Sequence, residues 1–479
     1  MLSARTRFWY GLGQAAEGIK NHSFTFFLLF YYTLVLGLSG TLASLALAIA
    51  LVFDAVTDPL AGALSDRTVS RWGRRHPWMY ASALPLAAAF YAVFAPPEGL
   101  SDGGLFAWLL VFSVATRGAM TLYHVPHMAL GAELSTDYHE RTRIVMARSI
   151  FGSLGGYLAG GLGLLWFMRP NEAYPNGQLD PAAYPAYAAF FAVLMAATIL
   201  ASALGTHDRI PHLPRATDGA RAGPVLAGLL RDAAAILRLA PFRALFVGVT
   251  LIYVAFGVGG VLGLHLGTYF WQVSTQEIFY WGVGAGTGTF GGMLFWARAA
   301  VRLDKKPTFL LGLALFLVFA AGPLIAKAIG PWPARESAWY LPLYVASGAL
   351  QAFSIAAAIV TGTSMMADVT DLDELENGVR REGIFFGASA FAAKAAVAGG
   401  QLVAGPLLDL VGVAKATEAH AVPEGAGDLL AIVTGGALLV LVAIALGFFA
   451  RYSLTRERHA AIRAALDARA NGSASTANA

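Results

Sequence analysis

Twelve apolar runs recur from one end of this 479-residue chain to the other, at 8–36, 41–64, 77–94, 105–130, 146–167, 184–204, 242–273, 278–296, 308–329, 339–366, 385–411 and 429–450. About 20 apolar residues, at 1.5 Å per residue, cross a bilayer core of ~30 Å as a helix, the form that satisfies every backbone N–H and C=O internally. The chain therefore reads as an all-α membrane protein of twelve transmembrane helices. Composition agrees: 57% of residues are hydrophobic and only 13% charged, against roughly 25% charged in soluble domains. The first run follows a short basic head, is longer than a signal h-region and lacks a small-residue cleavage site, so it is expected to stay as a helix.

Charge sets the orientation. With the amino terminus inside, the cytoplasmic loops collect Arg67, Arg71, Arg74, Arg75, Arg141, Arg143, the arginines from 209 to 243, Arg298, Arg302, Lys305, Lys306, Arg380 and Arg381. The outer loops hold Arg169, Lys327, Arg335 and Lys415. That asymmetry places both termini in the cytoplasm. The last nine residues, small and polar, are expected to be disordered.

The two halves echo each other. A basic loop at 70–77 between the second and third spans matches one at 302–307 between the eighth and ninth. Met128 to Glu133, leading to Asp137 and Arg141, matches Met365 to Asp368, leading to Asp371 and Arg381. Duplicated six-helix halves are a transporter architecture, with the solute site expected near the midplane. The expected division is a first half 1–206, a cytoplasmic linker 207–241 with a surface helix over 225–239, a second half 242–451 and a tail 452–479.

A carboxylate near the bilayer centre costs on the order of 3 kcal/mol, so each one calls for a reason. Asp54 and Asp58 are four residues apart on the second span and share a helix face, with Thr57 beside them. Two like charges so placed repel unless a cation lies between them or one is protonated. Such hard oxygen donors suit sodium or a proton. The alternative is that each aspartate pairs with a base on a neighbouring helix.

Other intramembrane polar groups are Lys20 and His22 on the first span, Arg117 and His124 on the fourth and Lys394 on the eleventh. Lys20 and His22 read as solute contacts or as the wall of a water-lined cavity, and Lys394 as a solute contact, a counter-ion to Asp54 or Asp58, or a structural lysine that snorkels to the interface. Glu17, one turn before Lys20, can pair with it locally. His124 is a proton carrier or a helix contact. Thr121, one turn before His124, either lends its hydroxyl to the cation site or bonds back to its own helix. Arg117 reads as structural.

The segment from Gly62-Ala63-Leu64-Ser65-Asp66-Arg67 to Arg71-Trp72-Gly73-Arg74-Arg75 resembles the motif that the major facilitator superfamily carries between helices two and three. With Asp54-Ala55-Val56-Thr57-Asp58-Pro59, Met366-Ala367-Asp368-Val369-Thr370-Asp371, Arg380-Arg381-Glu382-Gly383 and Lys394, the chain resembles the glycoside-pentoside-hexuronide cation symporters. The resemblance implies a fold of two six-helix halves with pseudo-two-fold symmetry. It also implies a sodium or proton site at Asp54, Asp58 and Thr121, with Lys394 beside it. Where sugar-transporting members have a Lys-Asp pair on helix one, an Asp on helix four and a Trp one turn later, this chain has Glu17-Gly18, His124 and Met128.

The expected function is cation-coupled symport of a glycoside or other sugar-like solute by alternating access, with no cofactor beyond the coupling ion. Arg67, Arg71, Arg74, Arg75, Arg141, Arg148 and Arg381, set against Asp66, Glu133, Asp137, Asp368 and Asp371, are expected to form the ion pairs that close the cytoplasmic side. The His-Val-Pro of helix four with the Thr-Asp-Pro of helix two also looks like the animal lysophospholipid symporters, which makes an amphiphile carrier the alternative. A membrane sensor without transport is a third possibility from another class. An enzyme is not expected: no His-Glu-x-x-His, Gly-x-Ser-x-Gly or cysteine occurs. Expected partners are a small solute, a cation and the bilayer of the plasma membrane, a bacterial inner membrane, with no nucleic acid and no need of an oligomer.

Overall fold

The computed structural model describes residues 2–135, 137–213, 237–378, 382–413 and 425–477. Arg381 and the expected linker helix, all but its last three positions, lie outside these residues. Among the described residues the fold is entirely helical: α1 (Ala4–Leu12), α2 (Gln14–His22), α3 (Gly40–Asp66), α4 (His76–Val93), α5 (Asp102–Glu133), α6 (Tyr138–Leu162), α7 (Ala183–Gly205), α8 (Ala240–His265), α9 (Thr275–Leu303), α10 (Lys305–Ala328), α11 (Tyr340–Asn377), α12 (Glu382–Val411), α13 (Ala426–Ala450) and α14 (Arg456–Ala477). Each expected apolar run lies in one of these helices or, for the first, in α1, α2 and the turns that follow. Eight of them are long and apolar enough to cross a membrane on length and composition alone.

Three spans end in wider turns. Leu36 N–H bonds to Tyr31 C=O at 3.0 Å, Met168 to Gly163 at 2.8 Å and Trp271 to Leu266 at 2.8 Å, each reaching back five residues. Such π turns occur frequently where a helix serves a functional site. Helix starts are set by local chemistry: the side chains of Ser3, Ser39, Ser101 and Asp137 each accept a backbone N–H of the first turn. Of the last nine residues, 471–477 are helical where disorder was expected, as the end of α14, and the final two lie outside the described residues.

Packing divides the chain into two compact units. One comprises 1–221, 260–279 and 398–430, the other 222–259, 280–397 and 431–479. In the first, α2 packs on α6, and α3 and α4 pack on α5. A Cβ on Gly18 would stand 1.9 Å from the Gly152 carbonyl oxygen, and one on Gly155 would stand 2.3 Å from that of Ala15. Only glycine permits so close a backbone approach. The second unit has its own core, in which Phe242, Leu245, Phe309, Leu313, Val369, Phe385, Phe449 and Tyr452 are buried together with Ile462 of α14.

Candidate ion and solute site

The site begins with two carboxylates one turn apart on α3. Asp54 is 6% exposed, and Asp58 is half-buried. Facing them from α5 is Thr121, 2% exposed, whose Oγ1 lies 2.8 Å from Oδ1 of Asp54 and 2.9 Å from Oδ1 of Asp58. A hydroxyl has one hydrogen to donate. It can satisfy one carboxylate fully, and the other contact is favourable only if the second carboxyl is protonated or a cation sits among the oxygens. Of the two readings of Thr121, the structure selects the one that turns it toward the acids. Thr57 donates its hydroxyl hydrogen to the backbone carbonyl of Asp54 at 3.2 Å, and an oxygen so bonded keeps lone pairs that can still face an ion.

Arg117 supplies the pairing with a base on a neighbouring helix that the alternative reading of Asp54 expected. It sits one turn before Thr121 on α5, with Nη1 3.7 Å from Oδ2 of Asp54 and its guanidinium 5.3 Å from the Phe24 ring centroid. The i, i+4 spacing from Arg117 to Thr121 was the available signal.

Beside this cluster, Glu17, Gly18, Asn21, His22 and Thr25 from the first span and Gly152 and Ser153 from α6 line a cavity of about 440 Å³. Glu17 Oε2 is 3.4 Å from His124 Nδ1 and accepts from Gln14 Nε2. His124 is thereby tied to the first span. Lys20 is buried on α2, and His22 packs against the rings of Phe26 and Phe27. Arg148 of α6 extends Nη1 to the sulfur of Met128 on α5, with no carboxylate partner among the described residues. That contact is not one of the ion pairs expected of it. Lys394 lies half-buried on α12, in the second unit.

The expected gate residues form separate clusters, each inside one unit. In the first, Arg75 is buried and contacts Asp66 Oδ1 at 2.5 Å, Glu133 Oε1 at 2.7 Å and Ser65 Oγ at 2.6 Å, and Arg74 reaches Glu133 at 2.9 Å. Arg75 so joins the ends of α3 and α5. Arg67 follows the last residue of α3, and Arg71 lies 5.0 Å from the Trp72 ring centroid. Asp137 is a helix cap, accepting Glu140 N–H at 2.8 Å, and Arg141 donates to the Ser135 carbonyl at 2.9 Å. Among the described residues neither makes the expected ion pair. The acid that pairs there is Glu140, with Arg7 and Arg143 at 2.8 Å each. The sequence reading passed it over because a cap and a paired acid look alike in a helix's first turn.

In the second unit, Asp368 is held by Lys305 Nζ at 2.7 Å, and Asp371 by His459 Nε2 at 3.0 Å and Arg463 Nη1 at 3.7 Å. Two of these partners come from α14, which the sequence reading treated only as a tail.

A helical membrane protein with acids, a hydroxyl and a guanidinium gathered deep in its spans has the design of a solute carrier. The family model described as MFS/sugar transport protein matches residues 9–456, and the chain belongs to that family. It is 29% identical to the uncharacterized symporter sll1374 of Synechocystis sp., over 97% of this chain and 96% of that protein. It is 24% identical to the isoprimeverose transporter of Lactiplantibacillus pentosus, over 85% and 80%. It is 30% identical to the sodium-dependent lysophosphatidylcholine symporter 1-A of Danio rerio, over 36% and 34%. The crystal structure of the nucleoside transporter NupG superposes with a TM-score of 0.63 at 14% identity, covering 93% of this chain and 99% of that one. That likeness shows the major facilitator fold.

Proposed function

We propose that this chain is a symporter that couples transport of a small glycoside-like solute to that of a monovalent cation, sodium or a proton. Asp54, Asp58 and Thr121 hold the ion. The observation that carries this reading is the Thr121 hydroxyl shared between two carboxylates at 2.8 and 2.9 Å, an arrangement that a positive charge completes. Ion binding draws α3 and α5 together, and the solute then binds a better ordered cavity. The coupling is reciprocal, because a solute that binds the ion-loaded state more tightly raises ion affinity by the same factor.

Lys20, His22, His124, Met128 and Arg148 are the proposed solute contacts. The isoprimeverose transporter among the relatives supports the glycoside class. The basic loops support an inner-membrane location with both termini cytoplasmic, and the protein acts as a monomer with no cofactor besides the ion. The match to a lysophosphatidylcholine symporter favours a second reading, an amphiphile carrier.

The test is uptake into proteoliposomes of labelled glycosides and of lysophosphatidylcholine, under a sodium gradient, a pH gradient or neither. Gradient-driven glycoside accumulation that Asp54→Asn and Asp58→Asn both abolish supports the first reading. Uptake of the lysolipid alone replaces it with the second. Accumulation that survives both substitutions removes the ion from these carboxylates.

A further inference from the structure

Asp368 and Asp371 lie three residues apart near the end of α11, so their carboxylates share a face. Like charges so placed repel. Lys305, the first residue of α10, holds Asp368 at 2.7 Å. A further base comes from α14, which crosses the ends of three helices. Its first residue, Arg456, gives its backbone N–H to Asp304 Oδ2 at 3.2 Å and its Nη2 to the Val301 carbonyl of α9 at 2.8 Å. Asp304 is at the same time the N-cap of α10. Midway along, Ile462 is buried in the apolar core of the second unit. Further on, Arg469 donates to the Leu375 carbonyl of α11 at 2.6 Å. Between the first two anchors, His459 Nε2 stands 3.0 Å from Oδ2 of Asp371 and 3.4 Å from Oδ1 of Asp368.

One nitrogen thus serves both acids. A neutral imidazole brings Nε2 at most one hydrogen, for one carboxylate at a time, whereas the imidazolium adds a positive charge that attracts both. The other charged and titratable groups about it are Lys305, Asp304, Arg463 of α14 itself, 3.7 Å from Asp371, and the Tyr452 hydroxyl, which donates to the Met365 carbonyl at 3.2 Å. Histidine is the residue type among these whose charge changes near neutrality. In the first unit the matching acid, Glu133, is held instead by Arg74 and Arg75, and arginine keeps its charge throughout.

We propose that α14 is a cytoplasmic latch on the second half of the carrier, tightened by protonation of His459. Ile462 supplies most of the hold, and the imidazolium sets how often the helix lets go. Docked, α14 ties the ends of α9, α10 and α11 together and restrains the shifts by which the cytoplasmic side opens and closes. Acid in the cytoplasm keeps it docked and slows turnover. As pH rises through the histidine range the attraction is lost and turnover quickens. The effect on turnover rests on the carrier reading, the docking does not, and the test separates the two.

The test places one cysteine in the full-length protein, which has none of its own, at Leu466, half-buried against the apolar core, or at exposed Ala464. Dividing the maleimide labelling rate of Leu466→Cys by that of Ala464→Cys at each pH removes the thiol's own titration. Between about pH 6 and 8 the ratio is expected to rise about fivefold. His459→Lys should keep it low throughout, and His459→Gln high throughout. A ratio that is flat in the wild type, or that rises as steeply in both variants, overturns the proposal. Should Leu466→Cys release the helix outright, Ala465→Cys, half-buried and outside the apolar contact, takes its place, and a flat ratio there overturns it.

Exchange of labelled glycosides is then compared in proteoliposomes with equal pH on both faces. Wild type should match His459→Lys at the acid end and His459→Gln at the alkaline end, about fivefold apart. Labelling that follows pH while exchange is the same in both variants overturns the regulatory role. If no glycoside exchanges at any pH, the solute reading has failed, and the latch stands or falls on the labelling alone.

Discussion

Oδ1 of Asp409 accepts the backbone N–H of Gly40 at 2.8 Å, so a carboxylate near the end of α12 caps the first turn of α3. Oδ2 accepts the N–H of Thr41 at 2.8 Å and the hydroxyl of Ser39 at 3.1 Å. A negative charge at a helix N-terminus meets both the unbonded N–H groups and the positive end of the helix dipole. The backbones approach closely there, since a Cβ on Gly40 would stand 2.5 Å from the Gly405 carbonyl oxygen.

Asp409→Ala should loosen this junction by about 1 kcal/mol, a usual cost of losing a cap. The chain has no cysteine, so Ser44→Cys, at a position 1% exposed, makes a clean reporter. Its labelling by a maleimide should quicken roughly fivefold when Asp409→Ala is added, the factor that ~1 kcal/mol implies. An unchanged rate would show that the cap holds nothing shut.

Thr121 separates hydroxyl chemistry from volume. Thr121→Val keeps the shape and loses the donor, and a hydrogen bond to a charged group is worth about 1.5–3 kcal/mol. Ion concentration for half-maximal uptake should rise roughly ten- to a hundredfold, with Thr121→Ser near wild type. If serine fails as badly as valine, the methyl packing matters and not the hydroxyl.

Arg148 presents a guanidinium beside Met128 with no carboxylate partner among the described residues. Arg148→Gln should raise the solute KM about tenfold, the loss expected when a charge-assisted bond becomes a neutral one, with the maximal rate retained. A fall in maximal rate at constant KM would return Arg148 to the gate.

The docking of α14 is predicted to depend on packing more than on charge. Arg463 is 48% exposed and 3.7 Å from Asp371, and such surface pairs are worth about 0–1 kcal/mol. Ile462 is 5% exposed within the apolar core, where truncation to alanine costs about 2–5 kcal/mol. Thermal unfolding should therefore move by several degrees in Ile462→Ala and hardly at all in Arg463→Ala. The reverse order would make the acidic pair the anchor.

Gly18→Ala should prevent proper assembly of α2 on α6, because its Cβ would fall 1.9 Å from a backbone oxygen that has nowhere to go. Gly259→Ala, with nothing within 4 Å, is the matched control and should express normally. Size-exclusion profiles of the two decide the matter.

Much of this protein was legible in its sequence because the deciding properties are local. An apolar run of about 20 residues specifies a membrane helix wherever it occurs, and Asp54 and Asp58 must share a face because they are four apart on one helix. The Arg74 and Arg75 cluster with Asp66 and Glu133 was likewise visible in charged residues placed at helix ends.

What the sequence left open was how each helix is turned about its axis, since an apolar helix in lipid has no strong amphipathic stripe to fix that angle. Packing fixes it instead, through close contacts such as Gly18 on Gly152. Once α3 and α5 are set against each other, Thr121 meets both carboxylates, Arg117 meets Asp54 and Thr57 turns back to its own helix. Arg148 turns to Met128 in the same way, and His459 reaches an acid 88 residues away in the chain. The sequence determined a twelve-helix carrier with two acids in its second span. Only the tertiary structure decided which hydroxyl and which arginine those acids face, because that depends on distances between helices, and hydropathy is a property of each helix alone.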